Sequence, residues 1–231
     1  MDNQFKEQEL ISDFSFLNHH DVQAHFADLN ITLLAGRHIQ TGEGYHFTLV
    51  NNYSDEFKFF YRSLYGLELK QARVENIDYY YLDFPDEGKS KLNTADRFRE
   101  MTPWEMLIAL MLLNMYYDRF FEQTKIVSWV VIQKEIMDNE ISQLYKKAFF
   151  NNTIREHYSD LEWKTLFDTF KRVLRNFDRW GWIKLQAAEE GDGDLVFVIR
   201  ESIDRFGKLY QYEISQFDIF IEQINQKRTK A

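Results

Sequence analysis

Two stretches of sequence decide the fold: SDEFKFFYRSLYGL at residues 54–67 and SDLEWKTLFDTFKRVLRNFDRWGW at residues 159–182. Both carry aromatic and aliphatic residues at the spacing of one helical face. Each ends in an aromatic residue, a glycine and an apolar residue: Tyr65-Gly66-Leu67 and Trp180-Gly181-Trp182. Because glycine readily adopts the left-handed conformation that ends a helix, both stretches predict a helix that stops at a fixed residue.

A β-hairpin is predicted after each of these helices. The first hairpin comprises an extended segment through Leu67, Leu69 and Ala72, a turn over 74–78, and a second strand over 79–84. The other pairs residues 182–185 with 195–199 across a Gly-Asp-Gly-Asp tip at 191–194. The second strand begins thirteen residues after Gly66 and fourteen after Gly181. Matching spacing indicates a duplicated unit.

The residues before each hairpin helix also follow one order in both halves. The first half predicts a helix over 21–35 that Asp21 caps and Gly36 ends, an extended piece over 37–40, and a helix over 43–51. Ser54 then caps the hairpin helix. The second half predicts a helix from Pro103 to about Glu122, capped by Thr102, which is apolar almost all round and therefore central. An extended piece over 125–129 and a helix over 130–137 follow, and then an extra helical piece over 141–150.

This order of helix, extended piece, two helices and hairpin is that of a winged helix. The predicted fold is therefore mainly α with small β-hairpin wings, an α+β class made of two tandem winged-helix domains and a helical tail. Coincidence is the alternative, since a helix followed by glycine and a hairpin is common, but order and spacing agree together. We place an N-terminal domain at 1–84, a linker at 85–101, a second domain at 102–200 and the tail at 201–231.

The tail carries an amphipathic helix predicted over 215–225. Its apolar stripe consists of Phe217, Phe220, Ile221 and Ile224. Such a helix either packs back on the second domain, which is the commoner outcome, or receives a partner.

Composition favours a globular protein that contacts other macromolecules. Hydrophobic residues make up 45% and aromatic residues 17% of the 231 residues. The aromatic surplus fits either partner interfaces, where aromatic residues are enriched, or cores that are simply rich in aromatic side chains. The absence of cysteine excludes disulfides and thiolate chemistry and suits a reducing compartment. The polar N-terminus lacks the features of a signal peptide, and the longest uncharged run is too short to span a bilayer. We therefore expect a cytoplasmic protein with no membrane contact.

No motif for catalysis or for a cofactor is present. The six histidines lie in none of the spacings that bind metal on a helix, and no HExxH motif occurs. The Gly42-Glu43-Gly44 segment is too short for a phosphate loop, and the tip at 191–194 departs from a calcium loop. The chain is therefore expected to be non-enzymatic, with no cofactor and no metal. Among the histidines, His38 is the one whose position leaves a functional role open, because it lies beside Arg37 at a turn between two predicted helices.

A basic stripe on the second hairpin helix is the candidate DNA contact. The residues involved are Lys164, Lys171, Arg172, Arg175 and Arg179. Positions 164, 171, 175 and 179 are near whole helical turns apart and lie opposite the apolar face. Residues 161–184 carry a local charge of +3 (six basic and three acidic residues) in a chain of net charge −9. Such a stripe can neutralise phosphates without reading sequence, but a solvated face with pairs such as Asp168 with Arg172 explains it equally well.

Two features argue against DNA binding as the main role. The tip of the second hairpin is acidic, through Glu189, Glu190, Asp192 and Asp194, and would repel a nucleic-acid backbone. The matching helix of the first half offers mainly Lys58 and Arg62. This helix is aromatic and is predicted to bind a protein partner through Phe59, Arg62 and Tyr65.

Several motifs together resemble the MukE and MksE family. They are Gly36-Arg37-His38-Ile39, Phe60-Tyr61, Leu64-Tyr65-Gly66-Leu67, Tyr80-Tyr81-Leu82, Trp129 after a long apolar helix, and the helix end from Phe177 to Trp182. The likeness extends over about residues 21–206.

The resemblance implies a tandem winged-helix subunit that forms a homodimer and binds a kleisin, which bridges an SMC-type ATPase. Together these form a bacterial condensin that organises and segregates chromosomes on the nucleoid, and the subunit itself has no catalytic residues. DNA would be bound weakly and without sequence preference. Two alternatives stay open: the equivalent subunit of an SMC-like plasmid-defence complex, and a free-standing winged-helix DNA-binding regulator.

Overall fold

The computed structural model describes residues 14–85, 101–187, 195–216 and 219. The chain divides into two compact units, Met1–Phe98 and Arg99–Ala231. Most of the predicted linker at 85–101, the acidic hairpin tip at 189–194 and most of the tail helix predicted over 215–225 lie outside the described residues. The exact domain boundaries therefore stay a prediction.

Within its described residues, 14–85, the first unit contains three α-helices and three strands. After a short 3-10 helix, Ser15–Asn18, they run in the order α1 His20–Leu34, β1 Ile39–Gln40, α2 Tyr45–Asn52, α3 Ser54–Tyr65, β2 Glu68–Val74 and β3 Ile77–Asp83. The strands form one antiparallel sheet in the order β1-β3-β2. Glu75 and Asn76, both with positive φ, make the two-residue turn between β2 and β3, the conformation that suits the twist of a hairpin.

The core of the first unit is strongly aromatic. Phe57, Phe60 and Tyr61 of α3 are buried and pack with the apolar face of α1. Phe16, in the segment before α1, contacts Phe57 edge to face with ring centroids 5.1 Å apart. Much of the aromatic surplus in this half is therefore internal, which favours a core rich in aromatic side chains over an aromatic interface as its explanation.

The second unit is built around one apolar helix. Its elements are α4 Pro103–Asp118, β4 Lys125–Ser128, α5 Trp129–Asp138, α6 Ser142–Phe149, α7 Asp160–Trp180, β5 Ile183–Leu185, β6 Val196–Ile199, α8 Asp204–Leu209 and α9 Gln211–Ser215. Ten residues of α4 are buried, which confirms its predicted central place. The strands again form an antiparallel sheet in the order β4-β6-β5.

The start of the tail packs against this central helix. Phe206 of α8 is fully buried, and Gly207 lies close enough to Leu113 that a Cβ there would come within 3.1 Å of its side chain. Tyr117 donates a hydrogen bond to Asp204 at 2.6 Å. The first residues after 200 therefore belong to the second unit.

The helix ends at glycine are confirmed, whereas two predicted caps are wrong. Gly66 and Gly181 both adopt the left-handed conformation, with φ of 67° and 79°. Thr102 caps α4 as predicted, in a box with Glu105. Ser54, however, is the first helical residue of α3 and does not cap it. Asp21 lies in the first turn of α1, where its carboxylate accepts a hydrogen bond from Tyr53 instead of capping the backbone.

The α4 helix ends four residues earlier than predicted, at Asp118. Its apolar pattern continues through Phe120 and Phe121, but these residues lie in a turn and are exposed. The observed class is α+β as predicted: mainly helical, with two small antiparallel sheets that share one strand order.

Candidate nucleic-acid and partner interfaces

The α7 helix is fixed at both ends and along one side, and this orients its basic face. At its start, Ser159 accepts a hydrogen bond from the backbone N–H of Glu162, and the Glu162 carboxylate accepts one from the N–H of Ser159. The hydrogen bonds that the Ser159 N–H and hydroxyl donate to this carboxylate lower the pKa of Glu162 below its ordinary value. The buried side of the helix consists of Leu166, Phe170, Val173, Leu174 and Phe177. The opposite side is therefore held toward solvent.

All five predicted DNA-contact residues lie on that exposed side. Lys164, Lys171, Arg172, Arg175 and Arg179 are each exposed. Arg179 donates a hydrogen bond to Asn176 at 3.0 Å, and the Lys171 ammonium lies 5.9 Å from the centre of the Phe167 ring. The structure thus brings the five cations together on one face of one helix.

Asp168 is the one acidic residue inside the basic face. It lies four residues after Lys164 and three and four residues before Lys171 and Arg172, so these three cations are its helical neighbours. Yet within the described residues no ion pair joins Asp168 to Arg172 or to the other cations. The alternative that intrahelical pairs neutralise the face is therefore weakened.

Asp178 is engaged elsewhere. Its carboxylate accepts a hydrogen bond from the backbone N–H of Leu185 at 2.9 Å, at the outer strand of the second sheet. Of the three acidic residues between 161 and 184, Glu162 and Asp178 thus hold backbone groups. Their charge is tied to the ends of α7 and to β5 and lies apart from the central cations.

The α4 helix supports α7 through a buried carboxylate. Glu105 is 1% exposed. One carboxylate oxygen accepts the backbone N–H of Thr102 at 2.8 Å, and the other accepts the side-chain amide of Asn176 on α7, also at 2.8 Å. A charged acceptor with two donors is a strong buried arrangement, so it fixes α7 against the centre of the unit.

In the first unit, the predicted partner residues divide into two kinds. Arg62 is exposed and makes no ion pair among the described residues. Phe59 is half-buried against Phe14, with ring centroids 5.4 Å apart. Tyr65 is half-buried, packs on Phe60 and accepts a hydrogen bond from Asn30 at 3.5 Å. Phe59 and Tyr65 therefore bury much of their surface inside the unit.

The Gly-Arg-His-Ile segment has a structural role. Arg37 binds Glu43 with two parallel hydrogen bonds, Nε to Oε2 at 3.1 Å and a terminal nitrogen to Oε1 at 2.9 Å. Gly42 and Gly44, with φ of 91° and 58°, form the turn that presents Glu43. His38 is buried and lies beside the ring of Tyr81, with centroids 5.3 Å apart. This segment fixes the path of the chain into β1.

Two features of the second unit were not predicted: an exposed apolar surface, and a cavity lined by both apolar and polar side chains. Phe120, Phe121 and Ile126 are exposed around the turn after α4, and Phe121 is 95% exposed. Separately, a cavity of about 370 Å³ lies between Trp104, Phe149, Leu161 and Leu166. In the sequence, Phe120 and Phe121 look like a continuation of the apolar α4 helix, and only the early helix end exposes them.

Among the described residues, no three histidine, aspartate or glutamate side chains are grouped to hold a metal ion. Nor does any helix within the described ranges combine the length and apolar character needed to cross a membrane. The acidic tip predicted to oppose DNA, at 189–194, lies outside the described residues.

Comparison with known proteins identifies the family. A search of curated proteins gives no match. A family model described as condensin complex protein MksE matches residues 24–211, which covers most of the chain and both units. The matched range contains the Gly-Arg-His-Ile segment, both glycine-ended helices and both sheets. The chain therefore belongs to the MksE family of condensin complex proteins.

Proposed function

We propose that this protein is a non-enzymatic, kleisin-associated subunit of a bacterial condensin-like SMC complex, which it helps to hold on DNA during chromosome organisation and segregation. The observation that carries the proposal is the family match over 24–211. Membership of a condensin complex family implies association with SMC and kleisin-type subunits, and the ATP chemistry then belongs to the SMC partner. The protein works in the cytoplasm, on the nucleoid.

Each unit is a winged helix in this proposal. Both contain two helices separated by a short strand, a helix ended by a left-handed glycine, and a hairpin whose second strand lies between the other two. The shared strand order β1-β3-β2 and β4-β6-β5 agrees with a duplicated unit.

The basic face of α7 is the proposed DNA contact. Lys164 and Arg179 are fifteen residues apart, so the face extends over about 22 Å of helix. Five exposed cations over that length suit the phosphates of a duplex, which carries a charge about every 1.7 Å along its axis. The contact is non-specific, because phosphate contacts carry no sequence information. It is also weak, as non-specific binding to DNA generally is.

The exposed side of α3 is the proposed protein contact in the first unit. Arg62 is its free cation among the described residues. Phe59 and Tyr65 contribute their remaining exposed edges. A homodimer is part of the proposal and leaves this face available to the kleisin.

Co-expression tests the proposed function. The full chain is produced with the kleisin and the SMC protein of the same genome, and the mixture is separated by size-exclusion chromatography with native mass spectrometry. We expect one assembly that contains all three chains. Elution of this chain alone, with an intact kleisin–SMC assembly beside it, would rule the role out. An R62E variant tests the α3 face, and K134E, which reverses an exposed lysine on α5 of the second unit, serves as its matched control.

A further inference from the structure

The outer strand of the first sheet directs a row of backbone groups away from the protein. The N–H of Thr41 donates to the carbonyl of Asp78 at 3.4 Å, so Asp78 and Tyr80 turn their backbone groups toward β1. Ile77, Tyr79 and Tyr81 turn their backbone groups toward β2. Their partners there are Val74, Ala72 and Lys70.

The alternate residues of β2 therefore point outward. These are Leu69, Gln71 and Arg73, whose N–H and carbonyl groups have no hydrogen-bond partner among the described residues. The side chains of Gln71 and Arg73 are exposed, so the middle of the strand is accessible, whereas Leu69 at its start is 4% exposed and packs into the core. A seven-residue strand with such an edge is long enough to pair with another strand.

In the second sheet, side chains form hydrogen bonds with outward backbone groups of both outer strands, β4 and β5. At β4, Arg119 donates a side-chain hydrogen bond to the outward carbonyl of Ile126 at 3.1 Å. At β5, the Asp178 carboxylate accepts the outward N–H of Leu185 at 2.9 Å. Side chains that occupy edge groups in this way prevent strand addition. At β2, no side chain among the described residues occupies an outward backbone group in this way.

We propose that β2 pairs antiparallel with β2 of a second copy of this chain, around a two-fold axis at Gln71. This inference rests on the homodimer of the proposed function and assigns its interface. The three outward residues are symmetric about Gln71, so the strand is complementary to itself. Each hydrogen-bonded pair exchanges two bonds, which gives about six bonds and a continuous sheet of both copies.

The side chains favour this register. With the axis at Gln71, Leu69 faces Arg73 of the second copy and Lys70 faces Ala72, so no like charges lie directly opposite. Moving the axis one residue to Lys70 would place two lysines opposite each other and cost stability. In the proposed register Lys70 is also neutralised within its own strand by Glu68 at 3.5 Å.

A single cysteine tests the axis, because the natural chain contains none. In a hydrogen-bonded antiparallel pair the two Cα atoms lie about 5.5 Å apart, within the range of a disulfide. The full-length Q71C protein, mildly oxidised, is therefore expected to give a covalent dimer. R73C is the matched control: its two cysteines would be four residues out of register, about 14 Å apart, and should not join.

Opposite charges introduced at Gln71 distinguish this interface from any other. Because Gln71 faces itself, Q71K and Q71E should each weaken the homodimer by about 5-fold in dissociation constant. A mixture of the two should form heterodimers beyond the statistical share, measured by native mass spectrometry. A monomer in light scattering, equal cross-linking of Q71C and R73C, or a statistical mixture would overturn the proposal. Kleisin capture by these variants is measured in parallel: its loss with an intact dimer would mean that the kleisin, and not a second copy, occupies β2. Retained capture by a monomeric Q71K would leave the proposed function standing.

Discussion

Neutralising the centre of the basic α7 face should abolish most of the DNA affinity of the protein. The variant K171Q/R172Q/R175Q removes three of the five exposed cations while keeping polar side chains that suit a helix. All three side chains are exposed and none forms an ion pair within the described residues, so the fold should be affected by no more than about 0.5 kcal/mol. Thermal unfolding of the variant and of the parent protein, followed by circular dichroism, measures this difference in stability.

The magnitude follows from counterion release. Each phosphate contact contributes about 0.9 to the slope of log affinity against log salt concentration, so five contacts give about −4.5 and two give about −1.8. At about 0.15 M salt each lost contact lowers affinity roughly 5-fold. Three lost contacts therefore weaken binding on the order of 150-fold, or about 3 kcal/mol.

Fluorescence anisotropy of a labelled duplex, titrated at several salt concentrations, measures both quantities. The matched control is D168N, which removes the one acidic residue among the cations and should strengthen binding up to about 5-fold. If the triple variant keeps the affinity and the salt slope of the parent protein, α7 does not contact DNA. Weaker binding with an unchanged slope would also refute the reasoning, because phosphate neutralisation requires the slope to fall.

Two further predictions concern the stability of the second unit. E105A removes the buried carboxylate that accepts hydrogen bonds from Thr102 and Asn176. It should lower the free energy of unfolding by about 3 kcal/mol, because two buried donors lose their acceptor and half of a capping box is lost. A loss below about 1 kcal/mol in urea unfolding would contradict the assigned role. For Glu135, burial and then the nearby Asp118 raise the pKa, which makes the ionised carboxylate the less stable form in the folded protein. The folded protein therefore loses stability as the pH rises from the pKa of Glu135 in the unfolded chain through its higher pKa in the folded protein. The E135Q variant should be more stable than the parent protein by less than about 1 kcal/mol at pH 7. It should show no gain once the pH lies below both pKa values. A gain that grows toward low pH would have the wrong sign.

The helix ends and hairpins could be predicted from the sequence because local chemistry determines them. Gly66 and Gly181 end their helices for the same conformational reason, and Thr102 and Pro103 begin α4 as their residue types favour. Asp21 was predicted wrongly as a cap, because its carboxylate binds Tyr53, thirty-two residues later in the chain. Contacts between distant segments are not visible in a local pattern.

The candidate sites were predictable to a smaller extent. The basic face follows from helical spacing, and all five residues lie where the spacing places them. Phe59 and Tyr65, predicted to bind a partner, partly pack within the unit against Phe14 and Phe60, because aromatic side chains serve cores and interfaces equally well. The outward groups of β2 depend on the hydrogen-bonding phase of a three-stranded sheet, which the sequence does not reveal.

Direct titration of the kleisin is the measurement that tests the central claim. The purified full chain is titrated with the purified kleisin of the same genome by isothermal calorimetry, and the stoichiometry is read from the same curve. Membership of the condensin family and the exposed α3 face predict saturable binding with a defined ratio of the two chains. The absence of binding heat at several temperatures, with both proteins folded, would contradict a role as a kleisin-associated subunit.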